Sequence, residues 1–329
     1  MLATTALFQD QIEPRYLPAC DHYAGSEKLM LKSMAIQDEM LGAFDITFDC
    51  EDGASIGNEA EHASMIAQLI TSEKNKFGRI GVRAHEPHSP YFQLDLNTIF
   101  QANARRPAYL VIPKIASAQQ LNATIQMVND QLSRAKPTGE IDAPTIPIHV
   151  LIETHGALAE VHAIASHPQV DCLSFGIMDF VSAHGGAIPA AAMQSPGQFC
   201  HPLVSRAKLE IAAACHRYGK IASHNVTTDI THPERARNDA KRAKSEFGYT
   251  RMWSIHPSQI EPILNAMLPN EDELHTAIEI LDTAHANQWG PSNIGGILHD
   301  RASYRYYWSI IKKAQINRIE LPKKAYNFM

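Results

Sequence analysis

Along the chain, short apolar and β-branched runs alternate with longer stretches in which apolar side chains recur every three or four positions. The short runs fall at Arg15 to Ala19, Phe44 to Cys50, Arg79 to Arg83, Ala108 to Lys114, Ile146 to Glu153, Asp171 to Gly176, Lys220 to Asn225 and Thr250 to Ile255. Strands that alternate with helices predict βαβ units and a parallel sheet. Between Asn58 and Glu73 the apolar Ala63, Ile66, Ala67 and Ile70 share one helical face. The stretch from Pro233 to Phe247 is polar and basic and stops at Gly248, the pattern of a solvated outer helix. Its Lys241-Arg242-Ala243-Lys244 run reads as a solvated face. Eight such units by about residue 255 predict a (β/α)8 TIM barrel over residues 1–268. A doubly wound sheet would instead need a Gly-x-Gly-x-x-Gly turn after the first strand, and none is present.

The pattern changes after residue 268. Asn270 is placed to cap a helix through Asn287, with Glu273 completing a capping box. Gly290 to Gly296 reads as a flexible linker, and a final aromatic-rich helix follows from about Ala302 to Ala314. Residues 269–329 are therefore expected to be a helical lid extension. Too short for a core of its own, it is expected to pack on its own barrel or on a neighbouring subunit.

Composition narrows the function. The 329 residues are 45% hydrophobic and 19% charged, ordinary for a globular protein, and the net charge of −6 disfavours nucleic acid as a partner. The cysteines at 20, 50, 172, 200 and 215 are scattered, without a Cys-x-x-Cys pair, which suits neither a disulfide framework nor a zinc ribbon. Cys50, beside two acids, reads as packing rather than as a nucleophile. No secretory pattern opens the chain and no run approaches the roughly 18 apolar residues of a membrane span, so a reduced, cytoplasmic protein is expected. His85-Glu-Pro-His88 has the wrong spacing for a zinc-protease helix and contains a proline. Neither a Gly-x-Ser-x-Gly elbow nor a P-loop occurs.

In a parallel barrel the chemistry gathers at the C-terminal ends of the strands. Those ends carry Glu51 and Asp52 after the second strand, Arg83 after the third, Lys114 after the fourth, Glu153 after the fifth and Asp179 after the sixth. Carboxylates facing each other across one mouth repel unless a cation intervenes, and hard oxygen donors suit Mg²⁺ or Mn²⁺. The planar fork of Arg83 matches a substrate carboxylate. Lys114 is open to two readings, a substrate contact or an internal ion pair.

Six segments then occur in order at successive strand ends: Phe48-Asp-Cys-Glu-Asp-Gly53, Val82-Arg83, Ile112-Pro-Lys114, Ile152-Glu-Thr-His-Gly-Ala157, Gly176-Ile-Met-Asp179 and Ser254-Ile-His-Pro-Ser-Gln-Ile260. Together they resemble the citrate lyase β-subunit and malyl-CoA lyase family of the HpcH/HpaI aldolase superfamily. The resemblance runs from about Arg15 to about Ala314 and implies the barrel independently of the strand count. It implies a Mg²⁺-dependent carbon–carbon lyase that splits or forms a β-hydroxyacyl thioester such as malyl- or citramalyl-CoA, giving an acyl-CoA and a 2-oxo acid. Carried over by position, Glu153 and Asp179 are metal ligands, Arg83 and Lys114 bind substrate, and Glu51 and Asp52 hold metal-bound water. Gly296-Ile-Leu-His-Asp300 is similar to the family's lid motif, which makes Asp300 a catalytic acid or base serving a neighbouring subunit. A homo-oligomer, a trimer or hexamer, follows from that. The chain departs from the family at Leu17-Pro-Ala19, at Arg83-Ala-His85 and along Ser223 to Thr228, which bears on coenzyme A as the carrier. The alternatives are a metal-dependent aldolase acting on free 2-oxo-4-hydroxy acids, or a non-catalytic paralogue that keeps the mouth to hold a ligand.

Overall fold

The computed structural model describes residues 2–9, 11–101, 106–135 and 145–329. After helix α1 (Ala3–Leu7), the first half runs β1 (Cys20–Ala24), α2 (Glu27–Glu39), β2 (Asp45–Asp49), α3 (Glu59–Thr71), β3 (Ile80–Arg83), α4 (Phe92–Ile99), β4 (Leu110–Ile112) and α5 (Ala118–Arg134). There follow β5 (Ile148–Ile152), α6 (His155–Ala159), α7 (Val161–Ser166), β6 (Val170–Phe175), α8 (Ile177–Ser182), α9 (Gly197–Cys200) and α10 (Pro202–Tyr218). Then come β7 (Ile221–His224), α11 (Pro233–Phe247), β8 (Arg251–Ser254), α12 (Ile260–Met267) and α13 (Glu271–Ala286). A hairpin of β9 (Ser292–Ile294) and β10 (Ile297–His299) leads into α14 (Arg301–Ile316). Strands β1 to β8 are parallel and pair in sequence order, and β8 closes on β1. The expected (β/α)8 barrel is the observed fold.

Side chains that leave the barrel outward, such as Ile46, Phe48, Ile80, Val82, Leu110 and Ile112, are wholly buried against the helices and form the main core. Burying such side chains is worth about 1.5–3 kcal/mol each, which fixes the strand register. Local signals mark the helix ends. Pro233 opens α11 at a position whose N–H would be unpaired anyway, and Gly248 ends it at φ 74°. The Asn270–Glu273 capping box of α13 is formed in both directions.

Two expectations are corrected here. The first strand is Cys20–Ala24 rather than Arg15–Ala19. Asp21 and His22 make this stretch read as polar, yet both are buried. Arg251 on β8, itself fully buried, lies 3.0 Å from Asp21 Oδ2 and 2.7 Å from Asp45 Oδ2. The hydroxyls of Thr47 and Tyr109 donate to Asp21 Oδ1 at 2.8 and 2.9 Å. A charge so paired tolerates burial that the bare sequence argues against. Leu17-Pro-Ala19 consequently lies at the N-terminal end of β1, away from the mouth, and its departure from the family pattern says nothing about what binds there.

The second correction concerns the Gly290–Gly296 linker. Its residues build an antiparallel hairpin in which Ile294 pairs with Ile297 and Ser292 with His299. Gly295 and Gly296 form the two-residue connection at φ 60° and 83°, the positive values that a tight hairpin turn demands. The C-terminal segment also has apolar packing of its own: α13, α14 and Phe328 share a cluster with Ala3, Ala6 and Leu7 of α1. The chain's first helix supplies what the tail alone lacks.

Candidate active site

The expected charged residues do converge at the C-terminal end of the barrel. Arg83 ends β3, Glu51 and Asp52 follow β2, Lys114 follows β4, Glu153 follows β5, and Asp179 sits in the first turn of α8. Asp52, Arg83, Glu153 and Asp179 line a cavity of about 420 Å³, within the range of small-molecule sites, while Glu51 and Lys114 stand behind them in contact with Arg83 and Asp52. Its lining combines the charged Asp49, Asp52, Arg83, Glu153 and Asp179 with the largely apolar Tyr23, Val226, Trp253 and Ile255.

Glu153 is 3% exposed. Its Oε1 accepts the backbone N–H of Lys114 at 2.7 Å, delivered by a residue held at φ 52°, a conformation most side chains avoid. Gly176 leaves room for the other oxygen: a Cβ there would lie 2.3 Å from Glu153 Oε2. Burial, reinforced by the charge of Asp179, pushes the Glu153 carboxyl up to about 8. A buried carboxylate with a second acid beside it and one oxygen uncommitted is a donor set that a hard divalent cation fits. Among the described residues no group of three or more His, Cys, Asp or Glu side chains is arranged to hold an ion. Two protein ligands with the remaining positions left to water and substrate is the usual manner of Mg²⁺, which binds through one or two carboxylates.

Arg83 is placed differently from expectation. Its fork is committed to Asp49, with Nε donating to Oδ1 at 2.7 Å and Nη2 to Oδ2 at 2.5 Å. Nη1 lies 3.0 Å from Glu51 Oε2, and the guanidinium sits over the Tyr23 ring, 5.4 Å from its centre. Burial works against this charge, but Asp49 and Glu51 outweigh it and hold the pKa above its ordinary value. The bidentate partner is thus internal. Of the five guanidinium N–H groups two go to Asp49 and one to Glu51, so two remain for a ligand, one on each terminal nitrogen. Asp49 is the residue that sequence reading passed over. It precedes the acidic pair and, by strand alternation, faces the same side as Thr47 and Asp45.

Lys114 takes the ion-pair reading. Its ammonium contacts Glu51 Oε1 and lies 3.1 Å from Asp52 Oδ2. Burial lowers and Glu51 and Asp52 raise its pKa, and the two acids prevail. Glu51 is accordingly clamped between Arg83 and Lys114, and burial still pushes its carboxyl upward. Asp52 remains exposed. The mouth holds five carboxylates against two cations, an imbalance that favours a bound cation.

Asp300 is not among the residues around this cavity. It caps α14, with Oδ1 accepting from the N–H groups of Ala302 and Ser303 at 2.9 and 3.2 Å. The other end of α14 is fixed at the opposite end of the barrel, where Asn317 Oδ1 accepts from Ala19 N–H at 2.8 Å.

Comparison with known proteins agrees with this architecture. The model of the HpcH/HpaI aldolase/citrate lyase family matches residues 23–257. No curated protein matches the chain by sequence. A citrate lyase from Burkholderia xenovorans is similar over 100% of both chains, at 50% identity and a TM-score of 0.84. The protein CitE of Mycobacterium tuberculosis, solved with magnesium, acetoacetate and coenzyme A, is similar at 18% identity and a TM-score of 0.65, over 91% of this chain and 98% of that one. The citrate lyase β subunit of the same organism, solved with oxaloacetate and magnesium, is similar at 18% identity and a TM-score of 0.59, over 78% of this chain and 100% of that one. Both share the fold. With a family match across most of the barrel and a full-length relative at half identity, this chain belongs to the HpcH/HpaI aldolase/citrate lyase family.

Proposed function

We propose that this protein is a Mg²⁺-dependent carbon–carbon lyase that splits a β-hydroxyacyl thioester of the malyl- or citramalyl-CoA type into an acyl-CoA and a 2-oxo acid. The observation that carries the reading is the Glu153–Asp179 pair beside Arg83 in an acid-rich cavity at the C-terminal barrel end. Magnesium, when bound, polarises a substrate carbonyl and offsets negative charge on oxygen. Glu153 and Asp179 would hold it. The two uncommitted N–H groups of Arg83 meet the carboxylate of the 2-oxo acid, while Asp49 keeps the guanidinium from turning. Glu51, between two cations, stays in place to orient water at the mouth.

Proton transfer needs a further group within hydrogen-bond reach of the reacting atoms. Asp300 fits that need when supplied by a second copy of the chain, because its own helix is anchored at the other barrel end. Ile297 and Leu298, exposed on the adjoining hairpin at 63% and 71%, favour docking of this segment against another surface. The proposed assembly is therefore a homo-oligomer with shared sites.

The test is release of 2-oxo acid from malyl-CoA, citramalyl-CoA and free 2-oxo-4-hydroxy acids, with Mg²⁺ and with EDTA, alongside the oligomer mass. Turnover of the thioesters that EDTA abolishes is the expected result. Turnover confined to the free acids would move the protein to the aldolase class, and a strictly monomeric active enzyme would remove Asp300 from the mechanism.

A further inference from the structure

A second cavity, of about 250 Å³, lies at the opposite end of the barrel between its base and α14. It has several times the ~30 Å³ that a water molecule occupies in the liquid. Three cationic side chains from three separate segments line it: Arg15 from the N-terminal arm, Lys220 from the turn before β7, and Lys313 from α14. No Asp or Glu does so among the described residues, in a chain whose net charge is negative. The floor is apolar, made by Leu17, Ile221, Met267 and Leu268.

The three cations are not equally engaged. Arg15 is paired with Asp171, and the Lys220 ammonium donates to the His167 carbonyl at 3.1 Å. The neighbouring Lys244 donates to the Leu268 carbonyl at 3.2 Å and lies 3.9 Å from Glu273. The Lys313 ammonium makes no hydrogen bond or ion pair among the described residues, although its side chain is largely covered. Burial, and then the like charge of Lys244, lowers its pKa against the weaker opposing charge of Glu273. A largely covered ammonium with no carboxylate in ion-pair contact, and only the more distant Glu273 opposing burial and Lys244, is a standing cost that a bound anion would relieve.

We infer that this basal cavity is a binding site for a small organic anion, a carboxylate with a short aliphatic chain, whose head pairs with Lys313 and Lys220 while its chain lies on the Leu17–Ile221–Met267–Leu268 floor. The apolar floor is what selects this class over inorganic anions, since each buried methylene contributes about 0.8 kcal/mol. A ligand seated here ties α14 to the barrel base, so binding stabilises the folded chain.

Isothermal titration and thermal unfolding with hexanoate, butyrate and inorganic phosphate test the site on the full-length protein, in the parent and in Lys313→Met, Lys313→Arg and Asp179→Asn. The expected result is saturable binding of hexanoate, weaker for butyrate and weakest for phosphate. Lys313→Met should weaken it about tenfold or more, Lys313→Arg should restore it, and Asp179→Asn at the far mouth should leave it unchanged. If Lys313→Met does not fold, Lys220→Met takes its place with the same expected loss. Absence of saturable hexanoate binding overturns the inference, as does binding that survives the loss of Lys313. A preference for phosphate, or loss of binding in Asp179→Asn, overturns it too.

Discussion

Replacing Arg83 with lysine keeps one positive charge and removes the geometry, which makes it the sharpest probe of the mouth. Arginine offers five N–H groups in a plane, of which Asp49 accepts two and Glu51 one. Lysine offers three from a single point on a shorter reach and cannot hold both oxygens of Asp49, Glu51 and a ligand together. The site is 8% exposed, so water does not replace what is lost. Charge-assisted hydrogen bonds are worth about 1.5–3 kcal/mol each, and with partial recovery by the ammonium the net loss of stability should be about 2–4 kcal/mol. The remaining donors would be misplaced by more than the precision that transition-state stabilisation requires, so kcat/KM should fall by about 10²–10³. Urea denaturation reads the first quantity and a coupled 2-oxo acid assay the second. Asp49→Asn, which frees the fork, should lower kcat/KM in the same direction, and the double variant should fall short of the sum of the two. An Arg83→Lys enzyme of parental stability and within about threefold of parental kcat/KM would refute the reasoning.

Other outcomes follow from single contacts. Glu153→Gln and Asp179→Asn should abolish the rise in melting temperature that Mg²⁺ gives the parent while leaving the circular dichroism unchanged; an undiminished Mg²⁺ shift in either would remove that residue as a ligand. Gly176→Ala would place a methyl group 2.3 Å from Glu153 Oε2 and should cost both stability and Mg²⁺ affinity, because that contact sits in a buried cradle. Asp300→Asn keeps an equally good helix cap, so the melting point should stay within a few degrees while turnover collapses; undiminished turnover would count against a catalytic role. Burial, with His256 nearby, lowers the His22 pKa from 6.5 to about 4. The unfolded chain then takes up this proton first, so the contribution is fully present above pH 6.5 and lost as pH falls towards 4, about 3 kcal/mol in all. His22→Asn should flatten the pH dependence of urea unfolding across that window by one proton, and an unchanged slope would contradict it.

Strand ends were legible wherever the strand's apolar character was continuous, and that sufficed to bring Glu51, Asp52, Arg83, Lys114, Glu153 and Asp179 to one mouth. Barrel topology does the rest, since parallel strands deliver every C-terminal end to the same face. Local chemistry was equally plain at the Pro233 start, the Gly248 stop and the Asn270–Glu273 box, because each depends on neighbours within one turn of helix. Gly295-Gly296 also carried a local signal, a two-glycine connection between short apolar runs, that a linker reading overlooked.

The sequence by itself thus determined the barrel, the end of it at which the charges gather and the identity of those charges. Which charge answers which was decided only by tertiary structure. Asp21 is a buried strand residue because Arg251, distant in the chain, lies 3.0 Å away. The fork of Arg83 belongs to Asp49 because β2 and β3 pair with these two residues side by side. The tail has packing of its own because α1 returns to it, and Asp300 lies outside the mouth's lining at the start of a helix whose far end Asn317 ties to the barrel base. Helix caps and strand periodicity are set by covalent neighbours, whereas the energy of a buried charge depends on groups brought close only when the chain closes on itself.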